Sequence, residues 1–421
     1  ENELIFTDGA LSFLHDVAYG KEIQVSYNGL KYYVDSNKLI NSLNQILEKG
    51  NWENGLMSLE PSLKQYAGLK KELGSMQRFA GSMENTDTMV VSVAADYKKA
   101  VSLKLQVYGL LPSSDQAATD LALHNAVMEF QKKVNLPPTG ELDEKVIAAL
   151  NFPLFERVEQ IKQSLNYWRW TSRIKQPEFI MVNIPAARLQ VVAIDAPEKN
   201  ISMKVIVGKP ITQTPPFAAY IYRVITYPYW TVPLSIATKE MLPKIINKVT
   251  YLEDNSLHVL DNKGEELNPS DIKWRKYSNN NFPFTIRQST GCDNSLGILK
   301  FDINSPYAIY LHDTNLRGLF EKENRFLSHG CVRVEKPIEL ARYILGKEFD
   351  KDIEEHLNRC LKGEEPAEIR LKEKLPVLIF YMPADIDENG ALKFYPDVYE
   401  IGKKGFSTSN VATPGEVGLP D

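Results

Sequence analysis

The side chains with the richest chemistry in this sequence lie between positions 310 and 334. Tyr310, His312 and Asp313 come first, then Ser328, His329, Gly330 and Cys331, then Val332, Arg333 and Val334. A structural cysteine ordinarily sits among apolar neighbours, whereas Cys331 follows small and polar ones. A thiol so placed can fill a core, form half of a disulfide, ligate a metal or act as a nucleophile. The attacking species is the thiolate, so the last role needs a base or a cation close by. His312 ends an alternating run in which Ala308, Tyr310 and His312 share one strand face, a rigid mount for a base. Cys331 starts a second short strand 19 residues later, a connection long enough to bring two strand ends side by side. Gly330 removes a side chain beside the thiol, so that successive backbone N–H groups can face an oxyanion. Arg333 shares the strand face of Cys331.

The rest of the chain has to hold these groups in place. Its 421 residues, 43% hydrophobic, suit two to four domains with packed cores. With 24% charged residues and a net charge of −5, it is neither an acidic disordered chain nor a polybasic nucleic-acid binder. No apolar run approaches the ~20 residues needed to span a bilayer. The sequence opens at Glu1 with no basic-then-apolar leader and reads as a mature or trimmed chain. An export signal or membrane tether is then expected in a segment outside it. Cys292, Cys331 and Cys360 show no CxxC spacing. That argues against a disulfide framework or a paired-thiol zinc site, and leaves both one pair plus a free thiol and three free thiols open.

Residues 1–93 read as a helical scaffold. Leu39, Ile40, Leu43, Ile46 and Leu47 line one face of a helix with Asp35 or Ser36 as N-cap and Gly50 at its end. Leu63, Tyr66, Leu69 and Leu73 line another, which starts near Pro61. Residues 94–152 form a small helical module, two amphipathic helices joined by Pro-Pro-Thr-Gly. A connecting helix over 153–172 is expected to pack on the scaffold. From 173 to 400 the period changes from 3.6 to 2, with β-branched and aromatic runs bounded by Pro and Gly. Within this mostly β domain, 245–285 is polar and asparagine-rich, as a functional flap would be. Glu388-Asn389-Gly390 marks a turn between two late strands. The composition of 401–421 is that of a disordered tail.

His312-Asp313-Thr314 followed by Ser328-His329-Gly330-Cys331-Val332-Arg333-Val334 resembles the signature of the L,D-transpeptidases, cysteine enzymes that cross-link bacterial peptidoglycan. The likeness extends to "IVGKPITQTPPF" (206–217), "YPYWTVPLSIATKEMLPK" (227–244), "GILKFDINSPYAIYLHDT" (297–314) and "PVLIFYMPADIDENGALKFYPDVY" (376–399). These stretches are similar to the large Gram-negative subclass of that family. Phe130-Gln131, Gly140 and Leu150-Asn151 resemble the small peptidoglycan-binding domain, although Thr139-Gly140 stands where that domain has Asp-Gly.

The resemblance implies an α+β multidomain fold: a helical scaffold, a wall-binding-like module and a sandwich-like, mostly β catalytic domain with an inserted lid. It implies that Cys331 is the nucleophile, His312 its base and His329 a structural support, with Gly330, Cys331 and Ser328 around the oxyanion. Arg333, Tyr310, Trp230 and Trp274 would bind substrate, while Cys292 and Cys360 match no catalytic position and read as buried or incidental thiols. Cys331 would take a donor stem peptide as a thioester, release D-Ala and pass the acyl group to an acceptor stem. The implied partners are these stems, with carbapenem-type β-lactams as inhibitors and no nucleic acid. The implied compartment is the periplasm, and no cofactor is required. Trimming of stems by hydrolysis, or attachment of a protein to the wall, would use the same acyl-enzyme. Two rival readings remain: a zinc peptidase built on His312, His329 and Cys331, and a wall-binding scaffold with an inactive catalytic domain.

Overall fold

A computed structural model of the chain describes residues 2–23, 25–27, 30, 33–82, 90–91, 97–112 and 119–401. The tail expected to be disordered therefore lies outside the described residues from 402 on. The chain forms two compact units. The first comprises 1–24, 31–177 and 380–398; the second comprises 25–30, 178–379 and the chain from 399 on.

The first unit is helical, as its periodicity predicts. Helix Ser36–Lys49 is capped by Asp35, whose carboxylate accepts the Lys38 N–H at 3.1 Å, and it ends at Gly50 with φ 62°. Leu39 and Ile46 carry its buried face. Helix Leu154–Thr171 buries Ile161, Leu165, Trp168 and Trp170 and packs on Asn2–Tyr19 and Lys64–Ser82. Helices Asp120–Lys133 and Glu144–Leu150 are joined by a turn that the buried Gln131 clamps. Its amide donates to Thr139 Oγ1 and Glu141 O at 2.9 and 3.0 Å, and its oxygen accepts the Gly140 N–H at 2.8 Å. Gly140 sits at φ 76°, and a Cβ there would collide with the His124 ring, so the Gln and the Gly of the motif are fold-determining.

One expectation needs correction here. The hairpin Ala384–Ile386 and Leu392–Phe394, read as part of the catalytic domain, belongs to the helical unit. Its apolar residues Ile386, Leu392 and Phe394 are buried among helices, Ile386 against Gly68 and Phe394 under the Arg157 guanidinium. The Trp168 indole N–H donates to Asp385 at 3.3 Å.

The second unit is built on one ten-stranded sheet. Its spatial order is Ser26–Tyr27, Phe217–Thr226, Leu299–Ile303, Leu311–His312, Val332–Val334, Ile201–Gly208, Arg188–Ala193, Glu178–Asn183 and Ala367–Phe380, with Phe326–Ser328 beside Ile201–Gly208. The long strand Ala367–Phe380 also pairs with Phe217–Thr226, its register shifting between Arg370 and Leu375. The sheet's pairings thus close on themselves through Ala367–Phe380, while Ser26–Tyr27 and Phe326–Ser328 are each paired on one side.

The segment read as a flap is a folded subdomain, wider than 245–285. Strands Trp230–Thr231, Thr285–Gln288, Leu257–Leu260 and Glu266–Leu267 form a four-stranded sheet. Val232, Met241, Leu242, Ile245, Leu252, Val259, Trp274 and Ile286 form a core beneath it.

Cys292 and Cys360 form a disulfide with a Cα–Cα distance of 5.3 Å, so they are not incidental thiols, and Cys331 is the free cysteine. The bridge ties the loop after Thr285–Gln288 to the end of helix Lys351–Asn358, across a sequence separation of 68. Closing a loop of that size stabilises by roughly 4 kcal/mol in the chain-entropy account. Titration of the denatured, unreduced chain should find one thiol; three would break the pairing. The double substitution Cys292→Ser/Cys360→Ser should lower the urea midpoint by an amount worth about 2–4 kcal/mol.

Candidate active site

Strand Leu311–His312 runs parallel to Val332–Val334, with Leu311 opposite Val332 and His312 opposite Arg333. One residue back, this register sets Tyr310 beside Cys331, and the Val332 N–H donates to the Tyr310 carbonyl at 3.1 Å. On the other flank Lys300 lies opposite His312. Residues opposite in register, and those two apart along a strand, share a face. One face therefore carries Lys300, Tyr310, His312, Cys331 and Arg333. The Tyr310 and His312 rings lie 5.6 Å apart, and the Lys300 ammonium sits 4.4 Å from the Tyr310 ring centre. The strand is shorter than the alternation suggests, because Ala308, at φ 52°, leaves the extended conformation.

His312 is buried, with Nδ1 2.5 Å from the Asp313 carbonyl. A carbonyl only accepts, so Nδ1 carries the proton and Nε2 keeps its lone pair. Burial pushes the imidazole pKa down to about 3; Arg333 and Lys300 act in the same direction, and the Asp313 carbonyl opposes them. The local backbone is fixed from below. The Asp313 carboxylate accepts the Ile298 N–H at 3.0 Å and pairs with Arg317 at 2.9 Å. It also occupies the space a Cβ would need at Gly297, whose φ is 60°.

Burial raises the Cys331 thiol above its usual range. The Tyr310 backbone N–H, the Lys300 ammonium, the Tyr310 side chain and Arg333 pull it back. The resting pair is thus a neutral thiol and a neutral imidazole. Burial and the neighbouring Cys331 push the Tyr310 hydroxyl well above the normal phenol range, while a hydrogen bond from Trp230 opposes them. Tyr310 therefore lies against both Cys331 and Trp230. Arg333 is half-buried, its Nε has no hydrogen-bond partner, and among the described residues no carboxylate pairs with it.

The remaining sequence-predicted residues fall in different places. Ser328 Oγ donates to the Cys331 carbonyl at 2.6 Å and accepts the Gly330 N–H at 3.1 Å. The Gly330 amide is thereby occupied, and the expectation that it faces an oxyanion is replaced by a conformational role at φ 116°. His329 points its Nε2 to Glu240, 2.5 Å away, in the subdomain after Trp230. Among the described residues no three His, Cys, Asp or Glu side chains are gathered as the zinc reading requires. The expectation that Trp274 lines the pocket is not met: it is 6% exposed in the subdomain's own core, its indole N–H bonded to Pro269 O at 2.9 Å. Sequence reasoning missed Lys300 and Glu240. The register of "LKFDI" opposite "LH" could have exposed Lys300; nothing in the sequence points to Glu240.

Residues 177–376 match the family model of the L,D-transpeptidase catalytic domain, residues 1–73 that of a scaffold domain, and residues 99–150 one described as "Putative peptidoglycan binding domain". A curated protein of Haemophilus influenzae, "Putative L,D-transpeptidase", is 37% identical over 226 residues, which cover 53% of this chain and 45% of that protein. The match thus spans less than half of that relative. Among solved structures, an L,D-transpeptidase from Mycobacterium smegmatis aligns at 13% identity over 48% of this chain and 58% of its own, with a TM-score of 0.22. The "Structure of the Ldtfm-avibactam carbamoyl enzyme" aligns at 11% identity over 74% of this chain and 98% of its own, with a TM-score of 0.23. Both scores are too low to bear on this chain.

The depressed His312 pKa has a thermodynamic consequence. Between about 3 in the folded chain and the unperturbed 6.5, the unfolded state binds more protons. The stability of the neutral imidazole is complete above pH 6.5 and is lost as pH falls toward 3. His312→Gln cannot bind that proton, so its urea midpoint should fall less steeply than wild type from pH 6.5 to 4. Parallel pH profiles for the two proteins would show that His312 is not held neutral.

Proposed function

We infer that this chain, whose residues 177–376 match the family model of the L,D-transpeptidase catalytic domain, is a cysteine acyltransferase acting on peptidoglycan stem peptides. The observation that carries the reading is one sheet face on which Cys331, a neutral His312 with a bare Nε2, and an unpaired Arg333 stand side by side. Cys331 attacks the carbonyl of the third stem residue while His312 takes the thiol proton. The proton then passes to the departing D-Ala amine, leaving a thioester. An acceptor amine attacks the thioester to give a 3→3 cross-link, and His312 serves again as base and acid.

Arg333 and Lys300 stabilise the thiolate but work against the imidazolium formed in the same step. An anionic group of the donor stem placed against Arg333 would supply its missing counter-charge and lift that penalty. Substrate binding then completes the base. The subdomain over 230–288 acts as the lid, because Trp230 and Glu240 both reach the catalytic motif from it. A lid that excludes water favours aminolysis of the thioester over hydrolysis to a trimmed tripeptide. The helical module is read as a wall-binding element, and carbapenem-type β-lactams as acylating inhibitors. The disulfide and the peptidoglycan chemistry support an envelope location, the periplasm. Among the described residues no helix is long and apolar enough to cross a membrane.

Mass spectrometry of the protein incubated with disaccharide-tetrapeptide should show an acyl adduct on Cys331 and a cross-linked dimer. A product that is tripeptide alone would favour the carboxypeptidase reading. Cys331→Ala should abolish turnover with an unchanged melt; persistent activity would remove the nucleophile assignment. His312→Ala should slow acylation about 10²–10⁴-fold.

A further inference from the structure

The loop 208–214 holds the backbone around the thiol through bonds that no motif announces. The Ser328 carbonyl accepts the Lys209 N–H at 3.0 Å and the Thr212 hydroxyl at 3.1 Å. The Gly330 carbonyl accepts the Thr214 hydroxyl at 2.7 Å. The Cys331 carbonyl accepts the Ser328 hydroxyl. Thr214 is fully buried and its hydroxyl is committed on both sides, since it also accepts the Gly208 N–H at 2.9 Å. The Thr214 N–H in turn reaches the Tyr399 hydroxyl at 3.3 Å, and that hydroxyl donates to the Gly208 carbonyl at 2.7 Å. The loop folds so tightly that a Cβ at Gly208 would lie 2.1 Å from the Thr212 carbonyl.

The bond from Thr214 has a geometric consequence. The Gly330 carbonyl and the Cys331 N–H belong to one planar, trans peptide and point in opposite directions. Fixing the carbonyl therefore fixes the direction of the N–H. Gly330 cannot supply the other donor of an oxyanion pair, because its own N–H is held by Ser328. The stabilisation of a tetrahedral oxyanion by the motif's backbone then rests on the Cys331 amide, and its aim depends on one buried hydroxyl.

We propose that Thr214 is a positioning residue for acylation: its hydroxyl sets the Gly330–Cys331 peptide plane so that the Cys331 N–H meets the developing oxyanion. This deepens the acyltransferase reading and rests on it. The carbonyl oxygen gains charge as the sulfur–carbon bond forms, and a donor aimed at that point acts on the transition state more than on the bound ester or amide. Losing one oxyanion donor outright costs about 10²–10³-fold in rate, so misaiming this one should cost somewhat less.

The test compares two reactions of the same thiol in the full-length protein, each followed by intact mass. Acylation by a carbapenem develops an oxyanion; alkylation by iodoacetamide does not. Thr214→Val keeps the shape and removes the hydroxyl, whereas Thr214→Ser keeps the hydroxyl. Thr214→Val should slow carbapenem acylation about 10- to 100-fold and leave iodoacetamide alkylation of Cys331 within about twofold. Thr214→Ser should recover most of the acylation rate. Acylation of Thr214→Val at the wild-type rate would overturn the assignment. So would an equal loss of acylation and alkylation, which would show Thr214 supporting the fold alone. Wild-type protein that alkylates but never acylates at Cys331 would instead sink the acyltransferase reading from which the proposal starts.

Discussion

The parallel pairing of Leu311–His312 with Val332–Val334 is the constraint on which the site depends. Side chains alternate along a strand, so a slip of one residue would turn either His312 or Cys331 to the opposite face. Two parallel strands cannot be joined by a tight turn; they need a crossover of a dozen or more residues. Residues 313–331 provide it, with the short helical turn Arg317–Glu321 and the strand Phe326–Ser328 on the way. The spacing between His312 and Cys331 is thus the length of a crossover, and both ends of it are anchored. Asp313 holds the first through Ile298 and Arg317, and Ser328 holds the last through its two bonds to Gly330 and Cys331.

Across the same face the charges form a sequence. Glu368 pairs with Arg223, Arg223 with Asp302 at 2.6 Å, and Asp302 with Lys300 at 2.8 Å. Each member of this ladder has a partner, which is how ionised groups tolerate burial. Arg333 stands on that face, on the far side of His312 from Lys300, without such a partner. The guanidinium is half-buried with its Nε unbonded, and titratable groups perturbed in this way cluster at functional sites.

Much of this was legible in the sequence because it is written locally. His312 stands in one short motif and Gly330 with Cys331 in another, and the helical face of Leu39 and Ile46 follows from periodicity. What the sequence hides is partnership at a distance. Trp274 and Trp230 look alike in a list of aromatic residues, yet one fills the core of the four-stranded subdomain while the other reaches Tyr310. Three cysteines without characteristic spacing leave the pairing of Cys292 with Cys360 undetermined. Glu240 is one acid among many until the fold brings it to His329. The hairpin around Asn389-Gly390 is evident from its turn, but an alternating strand declares which of its faces is apolar and not which unit will cover it.

That hairpin bears on how the protein comes into being. The chain passes from one unit to the other at 24/25, 30/31, 177/178, 379/380 and 398/399. The helical unit keeps Trp168, Gly68 and Arg157 waiting for Asp385, Ile386 and Phe394, which emerge more than two hundred residues later. A domain normally folds as it leaves the ribosome, amino-terminal part first. Here the first domain to be made is among the last to be finished, and a nascent chain halted anywhere before residue 398 leaves both its halves incomplete. Such interleaving joins translation and folding into a single commitment, in which a truncated product offers quality control an open core instead of a stable fragment.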